Sequence, residues 1–288
     1  MISDLWTGGV LKVDKRTLKF SKKLNPFNIL HISDMHFSDN DTKIFDEFKN
    51  IVTKLKDEID LVTWGGDLLS SDNGFAFLEK CKNCFPEIPV VCVLGNHDIH
   101  KDPVNYKTLT KKRFNIKRLF NFGHVHESNA LRAKLNNIGV NLLEDKSMEL
   151  NIKDNSIFIH GVKQPNFSVP HTRPAGLHLN EEQLNIILVH RPDMREKMVE
   201  GFDLLLGGHT HGGQIAFPFL GARVSNCGVS PKTVSGHYRV GNTQWLVNNG
   251  LSATPKTRIR YDCSRQISML RVEEGISNDL KKVEFSDY

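Results

Sequence analysis

The sequence lacks any apolar run long enough to cross a membrane. No stretch approaches the roughly 20 apolar residues of a transmembrane helix, and residues 1–11 carry Asp4 and two glycines instead of a basic, apolar secretory signal. Cysteine is scarce as well. The five cysteines are odd in number and scattered along the chain, which argues against a secreted disulfide framework. Together these absences predict a cytoplasmic protein.

The chain also lacks internal repeats, low-complexity tracts and an obvious linker. With 39% hydrophobic and 25% charged residues, its composition is that of an ordinary globular protein. One domain over residues 1–288 is the simpler organisation for this length. Within it we expect a core at about residues 27–273, an N-terminal edge hairpin in residues 1–24, and a basic insertion at residues 101–125.

The sequence does contain five short apolar runs that are each followed by metal-ligand side chains. The runs are 28–32, 61–64, 90–94, 186–189 and 204–206, and their β-branched or leucine-rich composition is typical of strands buried on both faces. The segments at their ends are Asp34-Met35-His36, Gly66-Asp67, Gly95-Asn96-His97-Asp98, Val189-His190 and Gly208-His209-Thr210-His211. Ligands bind beyond the carboxyl ends of strands in open α/β sheets, so we expect these segments to meet in one crevice.

The order of the other elements indicates an α/β fold. Helical patterns at about 42–58 and 73–84 alternate with the first three runs, which is typical of a parallel sheet. Short strands at 140–143, 147–152 and 156–161 suggest an antiparallel meander. A helix at about 193–200 and strands at 213–217, 236–240, 243–248 and 266–272 follow. Two sheets packed face to face, with helices outside, fit this order.

The five segments contain the donor atoms of a metal centre. Carboxylate, amide and imidazole groups suit divalent Mn, Fe, Zn or Co, and no thiolate is present to select a softer metal. Asp67 follows two glycines, where one carboxylate could bridge two ions. Two ions about 3.5–4 Å apart polarise a phosphoryl group and deprotonate the water between them, so a bridging hydroxide would be the nucleophile.

His97 and Asp98 are the candidates for acid catalysis. If the backbone is extended there, His97 points away from its neighbour Asn96 and need not be a ligand. An imidazole near the leaving oxygen can donate a proton, and a carboxylate can orient it and raise its basicity. We therefore assign catalytic roles to His97 and Asp98.

In this order, the five segments resemble the D-x-H, G-D, G-N-H-D, H and G-H-x-H motifs of the calcineurin-like metallophosphoesterase family. The resemblance covers about residues 27–273. It implies a four-layer αββα sandwich of two mixed β-sheets flanked by helices, and two divalent metal ions per chain, such as Mn, Fe or Zn. The implied ligands are Asp34, His36, Asp67 and His211 for one ion, and Asp67, Asn96, His190 and His209 for the other.

The string from Gly207 to Ile215, GGHTHGGQI, is similar to a bacterial branch of the family. That branch includes membrane-associated phosphoesterases and the UDP-diacylglucosamine pyrophosphatases of lipid A synthesis. Downstream the match is looser, because Asn249 stands where the branch has Arg and Ser264 follows Cys263 where it has Pro. The resemblance therefore supports the chemistry more strongly than the substrate.

Residues 101–118 contain seven basic residues and one acid, although the whole chain has a net charge of only +5. The sequence favours a helical cap with solvated lysines, whose stems can cover apolar surface. The functional alternative is peripheral contact with anionic lipid at the inner face of the membrane.

From these features we predict a binuclear metal-dependent phosphoesterase that hydrolyses a phosphate ester or pyrophosphate. The anionic substrate is expected to be lipid-linked or a nucleotide-sugar lipid, with small phosphodiesters such as cyclic nucleotides as the alternative. A nuclease is less favoured because the basic residues concentrate in one segment instead of following an extended groove. A non-catalytic scaffold is least favoured, since none of the implied ligands is missing.

Overall fold

Two six-stranded sheets form the centre of the fold. The computed structural model describes residues 9–39, 41–99, 128–164, 176–217, 221–222, 227–253, 260–277 and 280–283. The basic insertion expected at 101–125 lies outside the described residues.

The strands and helices follow one another in an alternating order through the first part of the chain. The strands are β1 (Lys12–Phe20), β2 (Phe27–Ile32), β3 (Leu61–Gly65), β4 (Val90–Val93), β5 (Asn141–Leu142), β6 (Lys146–Ile152), β7 (Asn155–Gly161), β8 (Leu184–Leu188), β9 (Leu204–Gly207), β10 (Ala216–Phe217), β11 (Gly221–Ala222), β12 (Gly236–Val240), β13 (Thr243–Val247) and β14 (Gln266–Glu274). The α-helices are α1 (Thr42–Leu55), α2 (Phe75–Lys82), α3 (Asn96–Ile99), α4 (Ser128–Asn137) and α5 (Glu196–Val199).

Both sheets are mixed. The first has the order β1-β14-β2-β3-β4-β5, in which β2 to β5 run parallel and β14 is antiparallel to β2. The second has the order β12-β13-β9-β8-β7-β6, in which β13, β9, β8 and β7 run parallel while the edge strands β12 and β6 are antiparallel to their neighbours. A shorter pair, β10 and β11, forms a separate ribbon.

Apolar side chains pack in three layers around these sheets. Between the sheets, Ile29 and Leu61 of the first sheet share a cluster with Leu188 and Leu206 of the second. On the outer face of the first sheet, α1, α2 and α4 contribute to a second cluster, which includes Phe48, Leu78 and Leu131. Val199 of α5 packs on the outer face of the second sheet with Leu205 and Trp245. The fold is therefore the four-layer αββα sandwich expected from the sequence.

Helix α1 illustrates how the pattern of apolar residues places a layer. Phe45, Phe48, Val52 and Leu55 are buried on one face, at the spacing of successive helical turns. The helix ends at Leu55 and continues as a 3-10 turn, Lys56–Glu58, so the expected 42–58 segment is confirmed in extent. None of the described helices is long and apolar enough to span a membrane.

Two strands have partners that differ from those expected. In the described part of residues 1–24, β1 is a single strand that pairs in parallel with β14, with Lys12 opposite Gln266, where a hairpin was expected. β5 pairs in parallel with β4 in the first sheet, so it does not join β6 and β7 in a meander. Alternation of apolar residues tells which face of a strand is buried, but not which strand lies beside it.

Candidate metal centre

The carboxyl ends of five strands meet at one edge of the sandwich. β2, β3 and β4 of the first sheet lead to Asp34, Asp67 and Asn96, and β8 and β9 of the second lead to His190 and His209. The donor atoms there form two clusters in which all atoms lie within 4.8 Å of one another, namely Asp34 with His36 and His211, and Asp67 with His190 and His209. All six side chains are buried. The five segments thus converge as the strand-end pattern predicts.

Asp67 lies between the two clusters. Its Oδ2 is 3.3 Å from Nε2 of His190 in one cluster and 3.6 Å from Nε2 of His36 in the other. Asn96 belongs to the cluster that contains His190, because its Oδ1 is 3.2 Å from Nε2 of His190. The Asp67 carboxylate therefore faces both clusters, as a carboxylate shared by two ions would.

Within each cluster the donor atoms face one another at short distance. Nε2 of His211 is 3.3 Å from both Oδ1 of Asp34 and Nε2 of His36. In the other cluster, Nδ1 of His209 is 3.1 Å from Nε2 of His190. Imidazole nitrogens that point at each other and at carboxylates have the arrangement of ligands around a shared cation.

The backbone of the ligand loops is strained. Five candidate ligand residues have positive φ angles, namely Asp34 (50°), His36 (47°), Asp67 (51°), His209 (67°) and His211 (49°). Such angles are uncommon for residues other than glycine, cost of order 1 kcal/mol or more each, and concentrate at functional sites. Sheet and core packing must hold these loops in place.

Two motif glycines allow the loops to approach one another. A Cβ at Gly95 would lie 2.1 Å from Oδ1 of Asp67, and one at Gly208 would lie 2.6 Å from Oδ2 of Asp34. A side chain at either position would therefore displace a ligand carboxylate. The glycines of the G-N-H-D and G-H-x-H segments are needed for this reason.

The protonation of the cluster reflects buried charge. Burial, reinforced by Asp67, raises the pKa of Asp34 to about 6, and burial lowers the pKa of His36 to about 3. Burial also disfavours protonated His190, but Asp67 outweighs it and raises the pKa of His190 to about 9. Burial likewise opposes ionisation of Asp67, yet His190 and His97 hold the pKa of its carboxyl well below the usual range.

The residues present fit two divalent ions. Buried carboxylates are costly unless they are paired with cations, and oxygen and imidazole donors suit divalent Mn, Fe or Zn. The raised pKa of Asp34 shows that its buried negative charge is costly and favours a proton. A metal cation at the same position would neutralise that charge instead. The geometry and the donor chemistry agree.

His97 and Asp98 lie in the one-turn helix α3, so the backbone is not extended there. The backbone N–H of His97 donates to Oδ1 of Asp67 over 2.8 Å, and its ring meets that of His36 edge-on, with centroids 5.1 Å apart. The His97 side chain is only partly buried, at the rim of the clusters. This position is compatible with contact to a substrate.

Asp98 was expected to orient His97, and its hydrogen bonds among the described residues are with backbone N–H groups. Its buried carboxylate accepts hydrogen bonds from the backbone N–H groups of Leu68 (2.9 Å), Leu69 (3.3 Å) and Gly95 (2.8 Å). These donors belong to the loops after β3 and β4, so Asp98 joins the two loops that carry Asp67 and Asn96. A short loop in helical conformation turns the carboxylate inward, away from the rim.

Sequence reasoning missed Arg260, a fully buried residue beside the metal centre. Its Nη2 lies 2.9 Å from Nδ1 of His211. Arg260 lies 49 residues after His211, between Asn249 and Cys263, where the sequence was compared only with the bacterial branch. An arginine next to apolar residues in a loop carries no signal of burial, so spacing could not have found it.

The sequence is similar to that of known proteins over most of its length. Residues 27–213 match the family described as calcineurin-like phosphoesterase, which is more than half of the chain. The protein YpbG of Bacillus subtilis is 27% identical over 270 residues, covering 89% of this chain and 88% of its own. The protein named phosphodiesterase YaeI of Escherichia coli is 26% identical over 258 residues, covering 88% and 84%. Among solved structures, TT1561 of Thermus thermophilus has a TM-score of 0.43 and 11% identity, covering 79% and 91%.

Proposed function

The chain belongs to the calcineurin-like phosphoesterase family, and on this basis we propose that it hydrolyses a phosphodiester or pyrophosphate bond at a centre of two divalent ions. The observation that carries the proposal is the position of Asp67, whose carboxylate faces both donor clusters. One ion would be held by Asp34, His36, Asp67 and His211, and the other by Asp67, Asn96, His190 and His209. Mn, Fe and Zn all suit this set of donors.

Two ions bound there would polarise the phosphoryl oxygens and activate the attacking water. The contribution of the protein is to hold the donors at fixed separation through strained loops. Asp98 joins the loops after β3 and β4 through backbone N–H groups. His97 stands at the rim with its backbone anchored on Asp67, and we assign its imidazole the transfer of a proton to the leaving oxygen.

For the substrate, we propose a phosphorylated compound with an apolar part, such as a lipid-linked pyrophosphate. Ile215 supports this, since it lies four residues after His211 and is 46% exposed, and its backbone is bridged to Tyr261. An exposed apolar side chain this close in sequence to a candidate metal ligand would be available to the apolar part of an amphipathic substrate. Peripheral contact with an anionic membrane would bring the enzyme to such a substrate.

A small phosphodiester is the second candidate. The relative YaeI bears the name phosphodiesterase, which favours diester chemistry without specifying an apolar group. Cyclic nucleotides would need the metal centre and His97 but not Ile215. The two candidates therefore differ in their dependence on one exposed side chain.

The test is a substrate panel measured with Mn²⁺. Bis-p-nitrophenyl phosphate reports the basic reaction, and a lipid pyrophosphate, a cyclic nucleotide and double-stranded DNA report the substrate class. We expect Ile215→Ser to raise KM for the lipid pyrophosphate while leaving bis-p-nitrophenyl phosphate unchanged. Ile276→Ser, at a residue that is 68% exposed in the C-terminal segment, is the matched control. Turnover of the cyclic nucleotide alone would overturn the lipid assignment, and an inert metal-loaded protein would overturn the reaction.

A further inference from the structure

The segment that carries His211 is strained. His211 (49°), Gly212 (62°), Gly213 (80°) and Gln214 (59°) are four consecutive residues with positive φ. Two of them are not glycine, and such residues keep this conformation only when surrounding structure imposes it. The 3-10 turn His211–Gly213 is too short to impose it alone. Contacts from other segments of the chain must therefore hold the backbone that carries the His211 ring.

Arg260 makes those contacts. Its guanidinium is completely buried, with Nη1 3.4 Å from the carbonyl oxygen of His211 and Nη2 2.7 Å from that of Asn249. Nη2 also donates to the carbonyl oxygen of Ser252. The planar fork of arginine is the side chain that can donate to several carbonyl groups in fixed directions.

The same contacts lead back to Asp34. The backbone N–H of Ser252 donates to the carbonyl oxygen of Asp34 over 3.0 Å, and the Ser252 carbonyl oxygen is 3.2 Å from Nδ1 of His211. Asp34 and His211 belong to one donor cluster. Arg260 and Ser252 therefore link His211 to Asp34, two candidate ligands of the same proposed ion.

Burial lowers the pKa of Arg260 despite the nearby Asp34 carboxylate, so charge alone does not account for a buried arginine here. A guanidinium taken out of water loses several kcal/mol of hydration, and a cation beside a metal centre repels the ions. The favourable interactions of Arg260 at this position are therefore its hydrogen bonds to backbone carbonyl groups. Arg260 donates such hydrogen bonds both to His211 and to the turn at residues 249–252.

We propose that Arg260 is a positioning residue that sets His211 for metal binding and that it acts on the Asp34–His36–His211 site, not on the site of His190 and His209. The inference rests on the proposed two-metal function. It concerns binding geometry, and so it predicts an effect on metal stoichiometry that is separate from catalytic turnover.

The test is titration of the metal-free protein with Co²⁺, which reports both stoichiometry and ligand geometry through its visible spectrum. We expect wild type to bind two ions. Arg260→Met should keep one ion at wild-type affinity and bind the other about 10- to 100-fold more weakly, the range for substitutions just outside a metal's own ligands. The spectrum of singly loaded Arg260→Met should match that of His211→Ala. Arg265→Met is the control, because Arg265 also donates to a backbone carbonyl, that of Gly9, and pairs with Glu47.

Each outcome separates this inference from the proposed function. Two ions at unchanged affinity in Arg260→Met, or equal weakening at both sites, would overturn the positioning role. If Arg260→Met does not fold, the same titration of Arg260→Lys decides. A single ammonium group cannot reach the carbonyl groups of both His211 and Ser252, so one site should again be weakened. A wild-type protein that binds no ion would overturn the proposed function instead.

Discussion

Nε2 of His31 lies 3.2 Å from the carbonyl oxygen of Gly207, so that a buried side chain of β2 reaches across to β9 in the other sheet. A carbonyl only accepts hydrogen bonds, and therefore Nε2 carries the proton and Nδ1 accepts from Oγ1 of Thr63 over 2.9 Å. Both nitrogens of a neutral imidazole are thereby satisfied. β2 leads to Asp34 and β9 to His209, so His31 joins the two sheets just before the metal centre begins.

Replacement of His31 should expose the pH dependence of this link. Burial lowers the pKa of His31 from 6.5 to about 4, so the folded protein holds the neutral ring and the unfolded chain binds the proton first. Its contribution to stability is therefore complete at pH 7 and is lost as the pH falls from about 6.5 to 4. We expect wild type to lose roughly 3 kcal/mol more unfolding free energy than His31→Gln between pH 7 and pH 4. Urea unfolding with a chelator present measures this.

The exposed residue His178 gives the control for that experiment. His178→Gln should follow the wild-type curve. Parallel pH curves for wild type and His31→Gln would show that the imidazole is not kept neutral by burial.

Asp67 should be the side chain on which both ions depend. Asp67→Ala removes the carboxylate that faces His36 and His190, and with it the charge that raises the pKa of His190. We expect elemental analysis to find fewer than two ions per chain. Activity should fall by more than about 100-fold, the upper end of the losses seen when residues that only support metal ligands are replaced. Asp57→Ala, at an exposed acid, is the control. Two retained ions in Asp67→Ala would exclude a bridging role.

The metal centre follows from the sequence more completely than the strand pairing does. Asp34, Asp67 and His190 follow buried strands whose parallel direction brings their ends to one edge, so short-range pattern and sheet geometry suffice to group them. The partner of β1 is β14, from the opposite end of the chain, and no local pattern encodes that choice. The same limit explains Arg260, whose contacts depend on a loop packing against His211.

Asp98 shows a different limit, because its carboxylate bonds to backbone N–H groups whereas a contact with the His97 imidazole was expected. Its neighbour His97 is adjacent in sequence, but the helical turn of α3 directs the Asp98 carboxylate to the backbone of the preceding loops. Side-chain direction depends on backbone conformation, which one residue pair does not reveal.

Asp98→Asn should therefore act on stability and leave the pH dependence of catalysis intact. The amide keeps one acceptor oxygen and turns N–H donors toward the backbone N–H groups of Leu68 and Gly95, which leaves buried donors unsatisfied. We expect a loss of about 1–3 kcal/mol in unfolding free energy, with a pH–rate profile of unchanged shape. Asp145→Asn, where an exposed carboxylate accepts from the backbone N–H of Lys163, is the control. A shifted profile in Asp98→Asn would instead mean that Asp98 acts through His97.

His97 can be tested by changing the leaving group. If its imidazole protonates the leaving oxygen, His97→Gln should lower kcat by about 100- to 10,000-fold for a diester with a poor, alkoxide leaving group. The loss should be far smaller for bis-p-nitrophenyl phosphate, because p-nitrophenolate departs without a proton. Metal stoichiometry should stay at two, since the contact between His97 and Asp67 is made by the backbone N–H and survives the substitution. His237→Gln, at a partly buried histidine of β12, controls for loss of an imidazole elsewhere. Equal losses with both leaving groups would mean that His97 supports the ligand geometry around His36, which its ring contacts edge-on, and does not serve as the acid.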